Sequence, residues 1–69
     1  MNEDKQAILN ALLPALQLTR MGKELTDLTY NKSSEVVAIS YLHGYDEVDV
    51  SLDSGIAMIM DVVKAVIYG

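Results

Sequence analysis

The sequence predicts an α+β fold: a three-stranded antiparallel meander sheet with two helices packed on one face, in the order α-β-β-β-α. Three observations point there. Apolar residues recur at helical spacing at both ends of the chain, the middle is β-branched and alternating, and short polar or glycine-containing turns divide that middle into strands. The pattern reads as a single domain over residues 1–69.

The first helix opens with Asn2 as N-cap, and Glu3 and Asp4 stand in a first turn where carboxylates suit the helix dipole. Ile8, Ala11, Leu12, Ala15, Leu16 and Leu18 form one side, widened by Leu9 and Leu13; Gln6, Asn10, Gln17 and Arg20 are the polar remainder. Pro14 deletes a bond to Asn10, but the apolar face keeps its phase across it, which favours one kinked helix over two. Gly22, after Met21, reads as a C′ glycine with Leu25 packing back on the last turn.

Strands follow at Glu24–Tyr30, with Thr26, Leu28 and Tyr30 on one face, at Glu35–Leu42 and at Tyr45–Leu52. Asn31-Lys32-Ser33-Ser34 forms the first turn and His43-Gly44 the second, Gly44 supplying a positive φ and His43 tolerating one. Setting Leu42 against Tyr45 places Ile39 opposite Val48, and Val37 opposite both Val50 and Leu28. One inner face then gathers Leu28, Val37, Ile39, Tyr41, Val48, Val50 and Leu52. Leu52 and Asp53 supply an N′ apolar residue and an N-cap for the last helix.

That helix, through Tyr68, collects Ser54, Ala57, Asp61, Lys64, Ala65 and Tyr68 into a narrow stripe and leaves an apolar arc of about 200°, twice what a helix covering one core needs. A chain of 69 residues buries only about 60% of its unfolded surface, and with no Cys it has no disulfide staple. With 51% hydrophobic residues, oligomerisation is the staple left. A homodimer is therefore expected, with Ile56, Met58, Met60 and Val62 at its interface.

Ten acidic against five basic residues give a net charge of −5 and a pI near 4.4. This opposes direct contact with nucleic acid or anionic lipid and leaves a basic protein as partner. Glu3 and Asp4 stand where a signal peptide needs positive charge, and the last helix is too short and too charged to span a bilayer. A cytoplasmic protein with no leader and no membrane association is expected.

The order α-β-β-β-α and the chain length resemble the double-stranded RNA-binding domain. That family reads RNA with a lysine cluster opening its last helix; the matching stretch here is Asp53-Ser54-Gly55-Ile56-Ala57, so the function does not travel with the topology.

In the acidic stretch Asp46 to Asp53, Asp49, Ser51 and Asp53 mimic the opening of a calcium loop, but Ser54 replaces its Gly and Met60 its bidentate Glu. Alternation explains the stretch as a solvated strand face, so neither metal nor cofactor is expected. His43 among Tyr41, Tyr45 and Asp46 suggests a catalytic cluster, but it lies at a hairpin tip and no nucleophile has a triad partner, so no enzyme is expected. An anion at Ser54-Gly55 would meet the charge of Asp53. On the outer sheet face, Val36, Ala38, Leu42 and Tyr45 lie beside Asp27, Ser40, Glu47 and Asp49. An apolar strip rimmed by carboxylates is either a contact surface or the scattered apolar exposure normal for a protein surface; as a contact surface, its candidate partner-binding residues are Val36, Ala38, Leu42, Tyr45, Glu47 and Asp49. The expected function is a non-enzymatic, homodimeric, small acidic interaction protein that binds another macromolecule. The alternative is an acidic inhibitor or nucleic-acid mimic occupying the basic cleft of a nucleic-acid-binding enzyme.

Overall fold

A computed structural model describes residues 4–68. Helix α1 spans Lys5–Gln17, strands β1, β2 and β3 span Leu25–Asn31, Val36–Tyr41 and Gly44–Asp49, and helix α2 spans Gly55–Tyr68. The sheet is an antiparallel meander in the order β1-β2-β3, with both helices on its inner face.

Helix α1 starts where the Asp4 carboxylate accepts the Ala7 N–H at 3.0 Å. The expected cap, Asn2, lies outside the described residues. The helix runs unbroken through Pro14 and buries Leu9 and Leu16. It ends at Gln17, short of the expected Met21, because Thr19 takes over its terminal groups. The Thr19 hydroxyl donates to the Leu16 carbonyl at 2.6 Å and accepts the Gly22 N–H at 3.0 Å. Gly22 is not the left-handed cap residue expected of it, since its φ is not positive. What it supplies is space: a Cβ there would run into the Leu16 carbonyl.

Both hairpins turn two residues away from the expected register. The first loop is Lys32–Glu35, closed by Glu35 in the left-handed region at φ 55°. The second turns at Leu42 and His43, and Gly44 opens β3 without a positive φ. Leu28 therefore pairs with Ile39 rather than Val37, and Val37 with Val48 rather than Val50. A two-residue slip leaves every side chain on its original face. Val37 and Ile39 are fully buried, as is Val50, whose N–H continues the ladder onto the Glu35 carbonyl at 3.0 Å.

Two expectations about faces fail for local reasons. The β1–β2 register shifts between Leu25 and Asp27, so Thr26 is bulged out and exposed while Leu25 and Leu28 both turn inward. Leu52, expected inside, is 98% exposed, because β3 ends at Asp49 and the chain turns at Ser51 and Leu52. The N-cap of α2 is then Ser54 rather than Asp53: its hydroxyl accepts the Ala57 N–H at 3.2 Å and its carbonyl the Met58 N–H at 2.9 Å.

Leu9 and Leu16 from α1, the inward sheet residues, and Met58, Val62 and Val66 from α2 form one core. Met58 and Val62 are fully buried in it, which removes them from any interface with a second copy. Ile56 and Met60, in contrast, are 74% and 66% exposed. Helix α1 lies over β1, whereas α2 packs beside α1 and meets β3 more loosely.

Candidate interaction surfaces

The outer face of the sheet carries three cross-strand rows: Asp27-Ser40-Tyr45, Thr29-Ala38-Glu47 and Asn31-Val36-Asp49. The central-strand residues are half-buried by their neighbours and the flanking ones are exposed. Five of the expected partner-binding residues, Val36, Ala38, Tyr45, Glu47 and Asp49, thus share one face, and Leu42 stands in the adjoining turn. No strand contains a Lys or Arg, so the three carboxylates of this face have no basic neighbour within the sheet.

Hydrogen bonds within the face hold those carboxylates in place. The Tyr45 hydroxyl donates to Glu47 at 2.9 Å, the Thr29 hydroxyl to Asp27 at 3.1 Å, and the Ser51 N–H to Asp49 at 2.9 Å. The bond to Glu47 raises the Tyr45 phenol above its usual range. Backbone and side-chain hydrogen bonds from Ser51 hold Asp49 below the usual carboxylate range.

The edges of the sheet are managed by side chains. Along β1, Gln6 accepts the Tyr30 N–H at 2.8 Å and donates to the Leu28 carbonyl at 3.0 Å, and Gln17 donates to the Leu25 carbonyl at 3.0 Å. On β3, the Glu47 N–H turns to the Asp46 carboxylate at 2.8 Å. Three backbone groups of β1 and one of β3 that could template another strand are thereby occupied. The sequence signal was only a pair of glutamines on the polar side of α1, which periodicity assigns to solvent.

Two further clusters lie on the helix side. Tyr41, His43, Tyr45 and Asp46, adjacent in the sequence, do line one open cavity of about 430 Å³ at the hairpin end. Burial, and then the charge of Asp46, raises the Tyr41 phenol. Among the described residues the His43 imidazole makes no hydrogen bond.

At the opposite end, Asp53 meets Asp61 of α2. A hydrogen bond to Asp61 raises the Asp53 carboxyl, with burial and the Asp61 charge adding to it and Lys5 opposing it. Lys5 Nζ donates to the Asp53 carbonyl at 2.9 Å and lies 5.4 Å from the Tyr30 ring centroid. Of the calcium-like residues, Asp49 is held by the Ser51 N–H, and its charge adds to that of Asp61 in raising Asp53. Among the described residues, no group of three or more His, Asp or Glu is placed to hold a metal.

Among the described residues, no helix is long and apolar enough to cross a membrane. Comparison of the chain with protein-family models, curated proteins and solved structures found no significant match. The surfaces themselves are thus the ground for a functional reading.

Proposed function

We propose that this chain is a non-enzymatic interaction protein that offers the outer face of its sheet to a basic protein surface and pairs with a second copy through α2. The observation that carries the reading is the uncovered outer face, where the half-buried Val36 and Ala38 sit among Asp27, Glu47 and Asp49 with no Lys or Arg in any strand. Such a face combines apolar area with one sign of charge, which selects a partner of the opposite sign and speeds encounter. Self-association is supported by the outward flank of α2. There the exposed Ile56 and Met60 continue into the half-buried Ile59, Val63 and Ile67.

The test is affinity capture from the native host with the parent and with Glu47→Lys/Asp49→Lys. A basic protein held by the parent, lost from the variant and released by salt supports the reading. Equal capture by both proteins overturns it. The lack of any basic residue in the strands also favours a second reading, an acidic inhibitor that mimics nucleic acid. In that case the captured protein is a nucleic-acid enzyme, and added DNA displaces this chain from it.

A further inference from the structure

The cavity at the hairpin end arises where the inner layer of side chains runs out. Gly44 pairs with Tyr41 and so occupies an inner-face position without a side chain. Above it, α2 presents the small residue Ala65 beside Val66. The α1–β1 connection closes one wall, because the Glu24 carbonyl accepts the Leu42 N–H at 2.7 Å and so ties residues 21–24 to the hairpin. What remains is an open pocket of about 430 Å³. Met21, Ala65, Val66 and the Tyr41 ring supply apolar and aromatic walls, Glu24 and Asp46 supply two carboxylates beside His43 and Tyr45, and among the described residues no Lys or Arg lines it.

We infer that this pocket receives a lysine or arginine side chain of the basic partner. The inference rests on the reading above and adds an anchor point to it. An alkyl stem with a terminal cation matches the lining: methylenes against Met21, Ala65 and Val66, the cation against Glu24, Asp46 and the Tyr41 ring. A neutral apolar ligand would leave both carboxylates without a counter-charge, and an anion would be repelled by them. Neither carboxylate forms an ion pair among the described residues, and the one protein hydrogen bond to Asp46, from the Glu47 N–H at 2.8 Å, leaves its charge uncompensated for an incoming cation. Tyr45 belongs both to the lining and to the outer-face row Asp27-Ser40-Tyr45, so the pocket adjoins that face at the edge strand β3, where a partner seated on the face can extend one long side chain.

The experiment is an NMR titration of the labelled full chain with acetyl-Gly-Lys-Gly-amide, with the glutamine analogue as control. Expected are saturable shifts at millimolar peptide for Tyr41, Gly44 and Ala65, absent with the glutamine peptide. Gly44→Val, which fills the pocket from a position where a Cβ meets nothing nearer than 3.9 Å, should abolish them. Asp46→Asn should weaken binding at least five-fold, and it keeps the inference testable if the filled variant misfolds. Equal shifts with the glutamine peptide, no saturable shift, or binding unchanged in either variant would overturn the pocket assignment. Saturable shifts confined to Glu47 and Asp49 would also overturn it while leaving the outer-face reading intact. Failure of that reading shows separately, in the capture experiment.

Discussion

The carboxamide oxygen of Gln6 accepts the backbone N–H of Tyr30 at 2.8 Å, and the same side chain donates to the Leu28 carbonyl at 3.0 Å. One glutamine thus makes, on the free edge of β1, the two bonds that a neighbouring strand would make. Gln6→Ala leaves both groups to water or to another chain's edge. It is expected to destabilise the protein by about 1–3 kcal/mol, read by urea unfolding, with faster hydrogen exchange at Tyr30. Unchanged exchange there would show that the bonds are unimportant in solution.

Gly22 and Gly44 should respond oppositely to alanine. At Gly22 a Cβ collides with the Leu16 carbonyl, a backbone atom that cannot step aside, so Gly22→Ala should lose about 1–3 kcal/mol. At Gly44 the added Cβ has no neighbour closer than 3.9 Å and φ is not positive. Gly44→Ala should be neutral or stabilising by up to about 1 kcal/mol. Denaturant midpoints measured side by side decide both.

Glu35 holds a left-handed backbone at φ 55° with a side chain that gains nothing from it. Glu35→Gly relieves that conformation and should stabilise the fold by roughly 1 kcal/mol, with Glu35→Asn close behind. A destabilised glycine variant would mean that the Glu35 side chain contributes in a way its exposed position does not suggest.

Stability should depend on pH through Asp53. Its pKa is raised in the folded chain, first by the hydrogen bond to Asp61. A group with a raised folded pKa binds its proton more tightly in the native state. Its contribution is therefore complete below the ordinary carboxylate pKa of about 3.9 and fades as pH rises through the folded value. Asp53→Asn, a mimic of the protonated form, should flatten this dependence and be more stable than the parent at pH 7. Parallel urea midpoints for parent and variant from pH 3 to 7 would contradict it.

The two methionines on α2 separate folding from assembly. Met58 is fully buried, and Met58→Ala should cost about 2–5 kcal/mol. Met60 is 66% exposed, so Met60→Glu should change monomer stability by no more than about 0.5 kcal/mol. In sedimentation it should nevertheless abolish the dimer expected of the parent. A parent that stays monomeric across the accessible concentration range would remove the second copy from the functional reading.

The order of elements, their type and the face taken by nearly every strand residue were legible in the sequence by itself. Parity alone carries that information: alternation along residues 36–50 assigns Val37, Ile39, Val48 and Val50 to one side whatever the register. That is why both hairpins could slip by two residues without moving a core side chain. Only the tertiary structure decided the rest. A bulge at Thr26 changed parity and brought Leu25 inward beside Leu28. The early end of β3 put Leu52 in water, and Ser54 took the capping role expected of Asp53. Packing against α1 and the sheet chose which half of the wide apolar arc of α2 to bury, taking Met58 and Val62 and leaving Ile56 and Met60 outside. Gln6 and Gln17 look like solvent residues until the helix is laid along the strand edge. Each of these outcomes rests on a contact between segments distant in the chain, and a local pattern carries no term for the groups waiting at the other end.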